Sequence, residues 1–170
     1  MDAYQLLEEK IEYNQWANEA IVSWLKGQPG HLLHLPIQSS FQSMNKVLHH
    51  IMESETYYLS ILTGREAEYP KELPNHEIFT RFLEVDRHLL NWFKVQAPSF
   101  LDNEIKIKRS PYEECYTVAT IISHVLNHST FHRGQVVAAR QELTLPPPPK
   151  TDFYWMYAQR LAPADHPFNG

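Results

Sequence analysis

Hydrophobic positions recur with a helical period in four long stretches of this chain. Tyr4, Leu7, Ile11, Ala17, Ile21 and Trp24 follow Asp2 at spacings near ~3.5, and Gln5 can complete a capping box, so a first helix is expected to run to about Lys26. Asn14 shares that phase and should face the interior, where its amide needs a partner. The stretch from Gly27 to Gln38 carries Pro29, Gly30 and Pro36 and reads as a connector, with His31 and His34 solvated. Ser39 with Gln42 repeats the capping-box pattern ahead of a second stripe, Phe41, Met44, Leu48, Ile51, Tyr58 and Leu62, which Gly64 would end. After a turn-rich link through Pro70 and Pro74, Asn75 can cap a third helix. Its core positions are Phe79, Phe82, Leu83, Leu89, Leu90 and Phe93, and it must stop before Pro98. His76 and His88 fall on this helix without a repeating spacing and read as surface residues.

Between Asp102 and Thr117 the period changes. Glu104 to Lys108 alternates polar and apolar residues and Tyr112 to Thr117 can pair with it, which predicts a small hairpin with the next helix starting near Thr117. The rival reading takes Ser110, Pro111 and Glu113 as a capping box and starts the helix there. The fourth stripe, Val118, Ile121, Ile122, Val125, Leu126, His128, His132 and Val136 to Ala139, predicts a long helix reaching about Glu142. Four prolines, Pro146 to Pro149, impose an extended exit, and Thr151 or Asp152 can cap a short last helix, Phe153 to Arg160, that packs Tyr154, Trp155 and Tyr157. The fold class expected is all-α, an antiparallel four-helix bundle with a short extra C-terminal helix and a small hairpin before helix four. It should form one domain over residues 1–170, with no internal repeat.

Composition narrows the partners. A formal charge of −5, with 15 basic against 20 acidic residues, offers no basic stripe and argues against nucleic acid. No apolar run approaches the ~20 residues that span a bilayer and no secretory leader is evident, so a cytoplasmic protein without a membrane partner is expected. The single cysteine, Cys115, fits a reducing compartment weakly; with no nucleophile signature around it, it reads as a packing residue.

The ten histidines change the picture. In H-V-L-N-H-S-T-F-H-R-G-Q, residues 124 to 135, three of them recur every fourth position, so His124, His128 and His132 form one ladder on a helix face. Two neighbours on it can share a metal ion, whereas His124 and His132 are ~12 Å apart along the axis. A metal therefore needs two ligands from this helix and at least one from elsewhere. His128 and His132 continue the apolar phase of Ile121 and Val125 and point into the bundle. On the second helix His50 shares the side of Val47 and Ser54 at the edge of the stripe, while His49 lies with Asn45 and Glu53, so His50 is the better inward ligand. Three neutral imidazoles suit zinc, nickel, copper or ferrous iron and leave an open coordination position. The alternative is that the same histidines are hydrogen-bonded core residues without metal. Peptidase, α/β-hydrolase, nucleotide-binding and paired-cysteine signatures are all absent.

The segment 124–135 resembles the signature of the DinB/YfiT-like superfamily of damage-inducible proteins, distinct from the DNA polymerase that shares the DinB name. Tyr13-Asn14-Gln15-Trp16-Ala17-Asn18, Leu48-His49-His50-Ile51 with Leu62-Thr63-Gly64, and Pro147 to Tyr154 match it too, over most of the chain. The resemblance implies a four-helix bundle of DinB/YfiT type with a metal on His50, His128 and His132, the trio the periodicity favours; His124 matches a frequent family histidine that is not a ligand. It also implies a homodimer through bundle faces, and for some relatives transferase or isomerase activity with low-molecular-weight thiols of the bacillithiol, mycothiol or glutathione type. The leading expectation is a metal-dependent enzyme in which zinc or nickel activates a thiol for attack on an electrophile. Tyr57 and Glu55 are weak candidates for outer-shell or proton-transfer roles, Glu55 reading more readily as a surface residue. Two other readings are a metal-binding stress or interaction protein without turnover, and a metal-dependent hydrolase.

Overall fold

The computed structural model describes residues 2–69, 73–109 and 111–161. The first helix, α1 (Ala3–Lys26), starts at the expected capping box, the Asp2 carboxylate accepting from the Gln5 N–H at 2.8 Å while the Gln5 carbonyl accepts from the Asp2 N–H at 3.0 Å. A short 3-10 turn over Gly30–His34 follows, with both of its histidines exposed.

Helix α2 (Met44–Thr63) begins four residues later than the Ser39 box predicts, because Ser43 takes the extended cap conformation and its hydroxyl accepts from the Lys46 N–H. Residues Ser39 to Gln42 form a turn instead, with the Gln42 N–H on the Ser39 carbonyl and Gln42 in the left-handed region at φ 65°. Gly64 ends α2 at φ 67°, as a C-cap glycine should. Helix α3 (Asn75–Lys94) is preceded by Pro74, and Asn75 is its first residue rather than its cap, the side chain donating to the Gly30 carbonyl at 3.0 Å. Pro70 of the expected link and Ser110 of the rival capping box lie outside the described residues.

The hairpin reading holds. Strands β1 (Glu104–Arg109) and β2 (Tyr112–Thr117) pair antiparallel from Glu104–Thr117 to Arg109–Tyr112, and buried Ile107 packs the hairpin onto the core. Cys115 sits on β2 as an exposed residue, not a packing one, its thiol 3.5 Å from the Glu104 carboxylate. The Thr117 hydroxyl then caps α4 (Val118–Ala139), which ends three residues before Glu142 in a run of turns. After the extended prolines, α5 (Phe153–Leu161) docks on α1: the Tyr13 hydroxyl donates to the Thr151 carbonyl, Phe153 meets the Tyr13 ring edge-on, and Tyr157 bonds Glu9. Met156 is the buried residue of α5, and Tyr154, expected to pack, is 74% exposed.

The long helices pack in a ring, α1 against α3 and α4, and α2 against α3 and α4, so sequence neighbours α1 and α2 face each other across it. Two apolar clusters fill it. One gathers Ile21, Met44, Leu48, Phe82 and Val136, the other Leu7, Ile11, Leu89, Phe93 and Ile122. Helices α1 and α4 cross from the second cluster to the first along the chain, and α2 and α3 cross in reverse. The pairs α1/α3 and α2/α4 are therefore antiparallel and α1/α4 and α2/α3 parallel, where short connectors alone suggested antiparallel neighbours throughout. The described residues are mostly helical, five α-helices plus a two-stranded sheet, not a helix bundle alone. No helix among the described residues is long and apolar enough to cross a membrane.

Between the two clusters lies a polar layer to which every long helix contributes. Asn14 and Asn18 come from α1, Glu55 from α2, Asp86 from α3, and Ser129 with Arg133 from α4, each at most 5% exposed. Asn14 finds the interior partners its phase requires: its amide nitrogen donates to Glu55 at 2.9 Å and to Asp86 at 3.0 Å. Asn18 donates to both Asp86 oxygens, and one Arg133 nitrogen donates to the carbonyl oxygens of both asparagines. Burial pushes both carboxyls above their usual range, and for Asp86 the nearby Glu55 charge pushes further, making it the more strongly raised. Two carboxylates facing one guanidinium would leave a net buried negative charge, so the pair retains a proton where free carboxyls have lost theirs.

The pH dependence follows in sign. A group with a raised folded pKa contributes stability that is complete below its unfolded pKa and is lost as pH rises through the folded value. Asp86→Asn removes that titration. The stability difference between wild type and variant, measured by urea unfolding between about pH 5 and about pH 8, should move in the variant's favour as pH rises, by up to ~1.4 kcal/mol per pH unit. A difference constant across that range would show that Asp86 does not hold an anomalous proton.

Candidate metal centre

The antiparallel packing of α2 on α4 brings the predicted histidines together. His128 and His132, one helical turn apart on α4, have ring centroids 4.3 Å apart, and His50 from α2 lies 4.9 Å from the first and 4.6 Å from the second. Each of the three offers a ring nitrogen, all within 4.8 Å of one another. The Nε2 atoms of His50 and His128 are 3.0 Å apart. Two imidazole nitrogens sharing a zinc ion at the tetrahedral angle would be ~3.4 Å apart, so a shift of a few tenths of an ångström brings this pair to a ligand separation.

The surroundings favour the uncharged ring at His50 and His128 and fix the orientation of His132. Nδ1 of His132 is 2.8 Å from the Gln135 side-chain carbonyl, a contact that requires the proton on Nδ1 and leaves the Nε2 lone pair for a ligand role. Burial, then the adjacent His132, His50 and His124, lower the His128 pKa to about 4, and burial followed by His132 lowers that of His50. Nδ1 of His128 is buried without a hydrogen-bond partner among the described residues, so the ring's polar contact is the one its Nε2 makes with His50. Phe41 stacks on His50 at 4.5 Å and meets His132 edge-on at 5.3 Å, roofing the cluster from the turn before α2. Such a set of neutral nitrogen donors under an apolar cover can hold a divalent transition metal ion.

The other histidines stand apart. His124 packs against Tyr58 at 5.0 Å and His128 at 5.9 Å, and lines a cavity of about 220 Å³ together with Tyr58, Tyr116, Thr120 and Ile121. His49 faces Glu53 at 3.2 Å, and His76 and His88 are exposed. Glu55, read from the sequence as a surface residue, is 3% exposed and turns away from the imidazoles, accepting from the Ser129 hydroxyl and the Asn14 amide. Its position is in phase with Leu48, Ile51, Tyr58 and Leu62, so the period already marked it as inward. Tyr57 packs on Tyr58, and Tyr58 is the tyrosine that reaches the cavity beside His124. Sequence reasoning also missed Asp86, in phase with Phe82, Leu89 and Phe93, and gave no role to Phe41, Asn18 or Arg133 at the site.

Fold and site together define a mostly helical protein with a three-histidine cluster able to hold a metal ion. The sequence model of the DinB family matches residues 2–162, and the chain belongs to that family. Protein DinB of Bacillus subtilis is 32% identical to it, over 75% of this chain and 80% of that protein. Among solved structures, a DinB-like protein from Bacillus cereus superimposes with a TM-score of 0.63 at 16% identity, covering 79% of this chain and 91% of the other. A conserved protein from Enterococcus faecalis gives 0.64 at 13% identity, covering 85% and 98%. At such identities these two structures establish the shared fold alone.

Imidazole NMR of the metal-free protein tests the electrostatics. His132 should appear as the Nδ1–H tautomer, and Gln135→Leu should convert that signal to a mixture of tautomers; an unaltered signal would show that Gln135 does not orient the ring. His128 should remain neutral down to about pH 4, so from its ordinary value of 6.5 down to about 4 the unfolded chain takes up a proton the folded one refuses, and stability falls as pH drops through that window. Protonation of His128 near its ordinary value would remove this contribution.

Proposed function

We propose that the protein is a cytoplasmic metal-dependent enzyme that transfers a low-molecular-weight thiol to an electrophile, with zinc or nickel held by His50, His128 and His132. The observation that carries the reading is the convergence of three imidazoles from two helices with no carboxylate or thiolate among them. A divalent ion on three neutral ligands keeps its full charge and an open position, and so supplies Lewis acidity that favours the thiolate form of a bound thiol.

The chain's own residues supply the rest. His50, His128 and His132 present lone pairs, and the Gln135 carbonyl orients one of them. Phe41 keeps bulk water from one side of the cluster, which strengthens electrostatic interactions beneath it. The cavity beside His124 offers the Tyr58, Tyr116 and Thr120 hydroxyls between Ile107 and Ile121, a setting for a compact organic molecule with hydrogen-bonding groups. Glu55 takes no part in proton transfer in this reading, being bonded to Ser129 and Asn14. The homodimer implied by the family resemblance belongs to the same proposal.

Elemental analysis of protein purified without a histidine tag should find stoichiometric zinc or nickel. His128→Ala should reduce this to background and abolish conjugation of electrophiles in a screen against several bacterial thiols. Full metal retention by His128→Ala would defeat the assignment of the site. Turnover of an ester or amide without any thiol would replace transfer by hydrolysis, and a rate equal to the uncatalysed one with every thiol would leave a metal-binding protein without this activity.

A further inference from the structure

The Asn14–Asn18 and Arg133–Gln135 stretches contain more polar residues than the three-histidine site uses. Arg133 donates to both asparagines and stands 5.5 Å from the ring centre of Tyr13 in the same early motif, so these distant stretches meet in space. We propose that the buried layer of Asn14, Asn18, Glu55, Asp86, Ser129 and Arg133 is a positioning unit for the histidines. It sets the axial and rotational register of α4 against α2, and with it the distance from His50 to His128 and His132.

The argument is geometric. Ser129 and Arg133 each follow a histidine by one residue, so α4 carries two parallel ladders ~100° apart, one of imidazoles and one of hydrogen-bonding anchors. The anchors are gripped from the rest of the ring. Glu55 of α2 holds Ser129, while Asn14 and Asn18 of α1 hold Arg133 and are held in turn by Asp86 of α3. The Thr130 hydroxyl accepts from a second Arg133 nitrogen at 2.8 Å, fixing the guanidinium against its own helix. Helix α2 thus touches α4 at two levels, through His50 at the site and through Glu55 in the polar layer.

The apolar clusters on either side cannot perform this task as well. Contacts among leucine, isoleucine and phenylalanine are non-directional and repack after a small slide, whereas hydrogen bonds weaken steeply with misalignment. A slip of one residue is ~1.5 Å along the axis, far outside the ~0.2 Å tolerance of a metal–ligand distance. The layer is a positioning unit and touches no ligand or reacting atom. Its consequence for metal binding rests on the reading of the previous subsection; its effect on ring placement does not.

Four variants and two readouts test it. Ser129→Ala and the milder Asn18→Ser remove grips, Glu55→Gln keeps the acceptor oxygen that Ser129 and Asn14 use, and Phe93→Leu weakens the distant apolar cluster as a control for general destabilisation. The readouts are the imidazole NMR signals of the metal-free protein and cobalt(II) titration followed by visible absorption. Ser129→Ala and Asn18→Ser should shift the signals of all three histidines, weaken cobalt binding ~10–100-fold and alter its absorption bands, while Glu55→Gln and Phe93→Leu stay near wild type. Wild-type signals in both grip variants, or equal shifts in Phe93→Leu, would overturn the proposal. If the wild type takes no cobalt the metal reading fails, and the imidazole signals alone decide whether the layer positions the rings.

Discussion

Among the described residues the arginine on α4 is bonded to no carboxylate directly. Arg133 donates to the carbonyl oxygens of Asn14 and Asn18, and the amide nitrogens of the same two asparagines donate to Glu55 and Asp86. Each amide thus lies between a cation and an anion with its dipole aligned to both. A direct buried ion pair pays heavily for desolvation and tolerates several geometries, whereas this relay needs every member in place. Loss of either asparagine would leave the Arg133 nitrogen and the Asp86 carboxylate sharing the one amide that remains. The mixed parallel and antiparallel ring has its register defined at this layer, with the apolar clusters providing cohesion above and below it.

The histidine site inherits that constraint. Two of its histidines and two anchors of the polar layer alternate along six residues of α4, so the helix is committed on two faces at once. The electrostatic demands of the two faces are opposite. Burial and the neighbouring imidazoles hold the pKa values of His50 and His128 down, while burial and repulsion in the polar layer keep a proton on the carboxylate pair. Both effects lower the net charge enclosed in the ring.

Helical periodicity carried the positions of the four long helices, the hairpin was legible as a change of period from 3.6 to 2, and the inward pair His128 and His132 followed from their continuity with Ile121 and Val125. His50 was separable from His49 by phase alone. The register of α2 was harder, because Ser39 and Ser43 both precede suitable partners and only the tertiary placement of the turn chooses between them. Glu55 and Asp86 were in phase with their apolar stripes, yet a carboxylate is ordinarily a surface residue, and the partners that overturn that expectation come from 37 to 74 positions away in the chain. Ring order and helix direction depend on how long links cross the ends of the bundle, which local patterns do not encode.

The roof of the site is built differently from its walls. The histidines stand on helices locked from several sides, but Phe41 belongs to the non-helical turn between Ser39 and Ser43, shaped by the left-handed Gln42 and tied by the Gln38 N–H to the Glu142 carboxylate beyond α4. Phe41 rests on His50 of α2, on His132 of α4 and on the first apolar cluster, so its size is felt on both helix faces. The cover over the histidines is therefore placed by backbone outside the helical ring, and a change in that turn would move the lid of the cluster while its walls stay where the helices hold them.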